Sequence, residues 1–367
     1  MGVVAAAGMQ RESCAALLDP KVVARCSAST RDPNTARNTG LHRPHAKDAG
    51  AGAGFRRHAS AKASASSRLG GSRSPGVDES AAYDRHASQR SHSIKLATFN
   101  INGIRSRLPA LLAWLEKEQP DIACLQELKA PDAAFPIAEI ERAGYGAIWH
   151  GQTSWNGVAI LAHGSEPVES RRGLPGDPDD LHSRYIEAAV HGIIVGCLYL
   201  PNGNPQPGPK FDYKLKWFER LITHAAGLFA CGHPVALVGD YNVVPTDFDI
   251  YNPKSWRKDA LLQPETRACY ERLLAQGWTD ALRALHPDES IYTFWDYFRQ
   301  HWQRNAGLRI DHLLLNGELA PHLLAAGVDT WVRDLPKASD HAPTWITLDA
   351  SVDGHKPVPA TKKPRRR

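Results

Sequence analysis

The stretch NAGLRIDHLLLN, residues 305–316, sets the terms for the fold. Leu308, Ile310, His312 and Leu314 alternate with Arg309, Asp311, Leu313 and Leu315, so it reads as a strand with apolar residues on both faces. Such a strand suits a sheet covered on both sides. Asp311, in the middle of that run, is the anomaly, because a buried carboxylate is costly unless it is paired or hydrogen-bonded. Its partner is either a cation such as Arg309 or a group supplied from elsewhere in the chain.

Further segments of the same kind flank it. IKLATFNI, DIACLQE, GVAILA, RYIEAAV, IIVGCLYL, PVALVGDYN and APTWITL read as strands. In RSRLPALLAWLEKEQP, Leu108, Leu111, Leu112 and Leu115 fall at helical spacing and Pro120 ends the helix. A second, longer helix carries Phe211, Leu215, Phe218, Ile222 and Ala225 on one stripe. ETRACYERLLAQG and WTDALRAL read as helical. Mixed strands and helices without strict alternation predict an α/β fold of two packed mixed sheets with helices outside. No internal repeat stands out.

Composition divides the chain in three. Residues 1–92 are rich in Ala, Ser, Arg, His and Gly, hold no Trp and show no apolar period, so they are expected to be a disordered basic extension. All ten Trp lie within 93–349, a segment long enough for one α/β catalytic domain. Residues 350–367 are expected to be a disordered basic tail. The overall charge of +5 hides this division: 93–349 carries 24 basic and 31 acidic residues. A negative core argues against nonspecific nucleic-acid binding through bulk charge; a polyanion would need a local basic patch and metal ions.

The cysteines (Cys14, Cys26, Cys124, Cys197, Cys231, Cys269) form no CxxC or zinc spacing, and Cys124 and Cys197 read as buried thiols within strands. No apolar run approaches the ~18 residues of a membrane span. Ala6 stands where a myristoylation motif has Ser or Thr. The Arg- and Ser-rich leader has the composition of a mitochondrial transit peptide, but Glu12, Asp19 and Asp32 count against that reading. A cytoplasmic, nucleoid-associated location is expected, with no membrane partner.

Polar residues cluster where the apolar strands end: Asn100 and Asn102, Glu127, Tyr199 and Asn202, Asp240 and Asn242, Asp311, and the Ser-Asp-His of 339–341. If those ends share one rim, the set has the composition of a metal-assisted phosphodiesterase. Glu127 and Asp340 offer hard oxygen ligands to Mg²⁺. Asp240 would orient or deprotonate water, and Asn242 and Asn100 would donate amide hydrogens without adding negative charge. His341 could exchange a proton beside a phosphate, with Asp311 holding its other ring nitrogen. Each piece has a bland reading: GDYN is a turn-forming sequence, and Ser-Asp-His can cap a helix. Taken together and in order, they favour chemistry.

The series FNINGIRSR, CLQELK, LYLPNG, GDYNVVPTDFDI, YTFWDY, GLRIDHLLL and SDHAP resembles the exonuclease III family of AP endonucleases over about residues 94–348. The resemblance implies a DNase I-like four-layer α/β sandwich. It also implies metal ligation by Glu127 and Asp340 with Asn100 and Asn102 beside them, a phosphate-contacting Tyr199, a water-activating pair Asp240 and Asn242, and the couple Asp311–His341. Some relatives carry Asp at the position of Asn102. Phe294, Leu308 and Ile310 match residues lining a small apolar pocket for an extruded sugar without its base. Arg184, Arg299 and Arg304 are candidate phosphate contacts, and Asn202 a further substrate contact.

The implied activity is Mg²⁺-dependent (or Mn²⁺-dependent) hydrolysis 5′ of abasic sites, and removal of nucleotides or blocking groups from 3′ ends of duplex DNA, by a monomer. The rival readings are a phosphatase or phosphodiesterase of the same superfamily acting on inositol phosphates, phospholipid head groups or RNA, and a DNA-binding protein without catalysis.

Overall fold

Two parallel strand pairs organise the protein. Strands β1 (Ser93–Asn100) and β2 (Ile122–Gln126) run parallel across helix α1 (Ile104–Glu118). Strands β7 (Ile193–Tyr199) and β8 (Val235–Asp240) repeat the arrangement across helix α3 (Pro209–Phe229). The structure is a computed structural model, and it describes residues 93–349. The extensions 1–92 and 350–367, with Cys14, Cys26 and the targeting signals sought there, lie outside the described residues.

Antiparallel strands complete a six-stranded sheet around each pair. With β3 (Tyr145–His150), β4 (Val158–His163), β11 (Leu323–Val328) and β12 (Thr344–Asp349), the first sheet has the order β11-β12-β1-β2-β4-β3. With β5 (Val168–Arg172), β6 (Tyr185–Val190), β9 (Thr279–Asp280) and β10 (Asp311–Leu315), the second has the order β5-β6-β7-β8-β10-β9. Helices α2 (Ile137–Arg142), α4 (Pro253–Trp256), α5 (Pro264–Leu274) and α6 (Ala281–Leu285) are the other α-helices among the described residues. None of the described helices is long and apolar enough to cross a membrane.

The sheets bury one face of each against the other, through Leu96, Cys124, Ile160, Ile186, Val195, Cys197, Val238, Leu313 and Ile346. Their outer faces meet helices. Leu111, Trp114 and Leu115 of α1 cover Phe99, Leu125 and Leu161, while Trp217, Phe218 and Leu221 of α3, with Tyr270 and Leu273 of α5, cover Leu198, Leu237 and Leu314. Leu313 and Leu314 thus serve cores on opposite sides of one strand, as alternating side chains must. The result is a four-layer α/β sandwich.

Local details depart from the sequence reading. Asp311 is the first residue of β10, not its middle, because the backbone N–H groups of Ile310 and Asp311 donate to Thr293 Oγ1 (3.1 and 3.2 Å). WTDALRAL is not all helix, since Thr279 and Asp280 form β9 and Asp280 caps α6 by accepting from the Arg283 N–H. Helix α1 stops before Pro120, at Gln119, whose left-handed backbone returns its N–H to Leu115. On α3, Leu215 and Ile222 are only half-buried, and the stripe that packs inward includes Lys214 and His224.

Candidate active site

The strand pairing places the polar residues at one rim. Asn100 ends β1 and Glu127 follows β2; Tyr199 ends β7 and lies opposite Asp240, the last residue of β8. Strand β10 is antiparallel to β8 and starts there, Asp311 opposite Asp240. Strand β12 is antiparallel to β1 and starts at Thr344 opposite Thr98, so residues 339–341 enter at the same end. The carboxyl ends of parallel strands are where open α/β sheets place ligands.

The backbone at this rim is tightly constrained. Glu127, Asn102 and Asn242 all adopt left-handed φ (53°, 49° and 47°) within two residues of the ends of β2, β1 and β8. Asn tolerates this conformation, but a Glu held there carries strain of ~1–2 kcal/mol. At Gly239 (φ +153°) a Cβ would lie 1.9 Å from the Leu198 carbonyl oxygen, so only glycine lets β7 and β8 approach this closely just before Asp240.

At this rim the Asn100 amide links the two sheets. Asn100 Nδ2 donates to Glu127 Oε1 (2.9 Å) and to Asp240 Oδ2 (3.0 Å). Asn242 serves Asp240 twice, through its backbone N–H (2.9 Å, to Oδ1) and its Nδ2 (3.2 Å, to Oδ2). His341 Nδ1 meets Asp311 Oδ2 at 2.8 Å, which turns Nε2 toward Asp240 Oδ2, 3.9 Å away. Asp311 is therefore paired with His341 and not with Arg309, which is engaged by Asp249 and Asp280. The other Asp311 oxygen, Oδ1, is buried with no hydrogen-bond partner among the described residues.

These contacts set the charge states. Burial pushes the Asp240 carboxyl up, and Asp311 and Glu127 add to the rise against the opposing pull of His341; the result is about 7. Burial alone would lower His341, but Asp311, Asp240 and Asp340 outweigh it and raise the imidazole to about 10. Burial opposes ionisation of Glu127 too, yet Lys129 and Asn100 hold it below its usual value. Tyr199 is driven well above the ordinary phenol range by burial and by the Glu127 carboxylate, so it is a hydrogen-bond donor at neutral pH. The rim therefore combines a carboxylate that titrates near neutrality with an imidazolium directed at it.

Two groups of side chains could hold a cation. Lys129 Nζ draws in Glu127 Oε2 (2.7 Å) and Asn102 Oδ1 (2.5 Å), so these two oxygens already converge on one positive charge. Asn102 Nδ2 reaches Asp340 Oδ1 (2.9 Å). Hard, mostly anionic oxygens fit a divalent ion such as Mg²⁺. Asp240, Asp311 and His341 also bring one ligand atom each within 4.8 Å of one another, the histidine offering a ring nitrogen.

The remaining expected residues divide. Arg184 lies over the Tyr199 ring (4.8 Å) and donates to the Tyr199 carbonyl (3.2 Å). Asn202 Nδ2 donates to Asn242 Oδ1 (3.1 Å). Phe294 packs edge-on against His341, with centroids 4.9 Å apart. Leu308 and Ile310 are buried in a satellite cluster with Val244, Ile250, Leu261 and Leu262, against which Phe294 also packs. Arg299 and Arg304 are exposed, and Arg304 donates to the Arg299 carbonyl (3.2 Å). Sequence reasoning misses the role of Ser339, whose Oγ donates to the Asn100 carbonyl (2.7 Å) and ties the loop before β12 to β1. It also misses Lys129 and Thr293, although both stand inside or beside the motifs CLQELK and YTFWDY.

Comparison with known proteins gives consistent matches. A profile of the Endonuclease/Exonuclease/phosphatase family matches residues 97–341. Exodeoxyribonuclease III of Haemophilus influenzae is 37% identical over 266 residues, covering 69% of this chain and 98% of that protein. An AP endonuclease from Archaeoglobus fulgidus superposes with a TM-score of 0.67 at 36% identity, covering 70% of this chain and 99% of the other. A 3′ phosphatase from Neisseria, solved with a product DNA hairpin, superposes with a TM-score of 0.67 at 38% identity, covering 70% and 99%.

Proposed function

Because the chain belongs to the endonuclease/exonuclease/phosphatase family, we propose that it is a metal-dependent DNA repair nuclease that cuts duplex DNA 5′ of abasic sites and clears 3′ ends. The observation that carries this reading is the convergence of Glu127, Asp240 and the Asp311–His341 pair on one rim, joined by Asn100. The names of its relatives, an exodeoxyribonuclease III, an AP endonuclease and a 3′ phosphatase, point to the same substrate class.

Asp240 takes a proton from water, or orients it, for attack on phosphorus, and Asn242 keeps that carboxylate in place. His341 presents Nε2–H to the phosphate, held by Asp311. Tyr199 donates from the opposite strand end, and Arg184, braced on its ring, meets a backbone phosphate. Asn202, Arg299 and Arg304 contribute further contacts along the duplex, and Phe294, beside Leu308 and Ile310, forms the apolar wall against which a sugar lacking its base fits. Glu127 and Asp340, with Asn100 and Asn102 beside them, would hold Mg²⁺ or Mn²⁺, which when bound offsets charge on the phosphoryl oxygens. Both reactions release a 3′-hydroxyl, and the enzyme acts as a monomer on a duplex. The domain boundaries follow the composition, with catalysis in 93–349.

An end-labelled duplex with one abasic-site analogue, incubated with protein in Mg²⁺ or EDTA, tests this reading. Incision 5′ of the analogue in Mg²⁺ alone is expected, together with release of phosphate from a 3′-phosphorylated duplex. Turnover of inositol phosphates with both duplexes left intact would reassign the substrate.

A further inference from the structure

Lys214 is a buried cation held by backbone. It lies on α3, its side chain is fully buried, and no carboxylate comes within salt-bridge distance of it among the described residues. Burying a charge this way is costly unless its hydrogen bonds are met. Carbonyls meet them: Nζ donates to that of Asn202 (3.0 Å) and to that of Asn242 (2.5 Å). Burial presses the ammonium down to about 7, with Asp240 and Asp259 the leading opposing influences, helped by Cys269, and Arg184 adding to the fall.

The two carbonyls belong to the segments that leave β7 and β8. Asn242 is in the left-handed region, and its side-chain amide makes three contacts: to Asp240, to the Leu200 carbonyl and from Asn202. The stem of Lys214 reaches them past Gly203, where a Cβ would stand 2.6 Å from Lys214 Cδ. One terminal nitrogen, with N–H donors enough for both carbonyls whether or not it is protonated, therefore pins both turns.

We infer that Lys214 is a positioning residue of the proposed nuclease, fixing the backbone of Asn202 and Asn242 so that the Asn242 amide, itself held by Asn202, keeps Asp240 in its working orientation. The inference rests on the nuclease reading above. Without Lys214 Nζ, the part-buried Asn202 carbonyl and the buried Asn242 carbonyl lose this donor, and Asn242 loses a contact that holds its unusual backbone.

The test is a double-mutant cycle on the abasic duplex with wild type, Lys214→Met, Asn242→Ala and the double variant, each checked for folding by near-ultraviolet circular dichroism. Lys214→Met is expected to lower kcat at least tenfold with KM within threefold of wild type. In the Asn242→Ala background the same change is expected to cost less than threefold, because the group through which Lys214 acts is gone. A folded Lys214→Met protein with kcat within twofold of wild type would overturn the inference, as would an equal loss in both backgrounds, which marks a general structural role. If the Met variant does not fold, Lys214→Gln, able to donate to one carbonyl, enters the same cycle with an expected three- to tenfold loss that also vanishes beside Asn242→Ala; persistence of that loss, or none at all, overturns the inference. Failure of wild type to cut removes the nuclease reading and this inference together, whereas cutting by wild type with an indifferent Lys214 removes this one alone.

Discussion

Replacing Arg309 with methionine should destabilise the fold in a pH-dependent way. Arg309 is almost wholly buried, with Nε 2.7 Å from Asp249 Oδ1 and a terminal nitrogen 2.7 Å from Asp280 Oδ2. Burial alone would raise the Asp249 carboxyl, but Arg309, Thr246 and Arg283 hold it at about 2. Set against an ordinary value of 3.8, that is worth ~2.5 kcal/mol of folding stability at neutral pH. Methionine fills the space and leaves two carboxylates buried; such a loss costs ~3–5 kcal/mol, eased at Asp249 by Arg283 at 2.6 Å. A depressed carboxylate contributes stability that is present above its unfolded value and lost as pH falls through about 2. The gap between wild type and Arg309→Met should thus be widest at pH 7 and narrow toward pH 3, where the freed carboxyls of the variant take up protons. Urea denaturation at both pH values, with unchanged m, measures it. A deficit below ~1 kcal/mol, or one equal at the two pH values, would refute the reasoning.

Changes at the rim carry their own signatures. Asp311→Asn removes the leading influence that holds His341 near 10 against its burial, so the alkaline limb of the kcat profile should move toward neutrality and kcat should fall ~10²-fold or more; an unmoved limb would detach Asp311 from the histidine's charge. In wild type, kcat should decline as pH drops below about 7, where the buried Asp240 gains its proton, and a flat acidic side would count against Asp240 as base. Gly239→Ala drives a methyl into the Leu198 carbonyl, so thermal unfolding should drop by the equivalent of ~2 kcal/mol or more; an unchanged Tm would mean that β7 and β8 can separate freely.

What the sequence makes legible is what burial dictates. The central strands, covered on both faces, show as unbroken apolar runs, and their polar ends mark the rim. Strands β3, β5 and β11 leave no clear signal, and β9 reads as helix; these four are the edges of the two sheets. Edge strands are half covered, and β5 exposes or half-exposes all five of its residues, so neither a continuous run nor clean alternation betrays them. Side chains that act through backbone are equally hidden. Thr293, Ser339 and Lys214 matter through carbonyls and N–H groups that tertiary structure brings to them, and no spacing in one segment records that. The packing of Leu308 and Ile310 with Val244, Ile250 and Leu261 is equally unrecorded in any one segment.

If water directed by Asp240 attacks phosphorus and leaves a 3′-hydroxyl, isotope transfer should show it. The most direct measurement is incision of an abasic duplex in H₂¹⁸O with Mg²⁺ present, followed by mass spectrometry of both fragments, for wild type and Asp240→Asn. One ¹⁸O on the 5′-phosphate of the abasic fragment, an unmodified 3′-hydroxyl on its neighbour and a large loss of rate in the variant are predicted. An unsaturated sugar remnant at the 3′ end without ¹⁸O in the phosphate, or full activity of Asp240→Asn, would contradict the account.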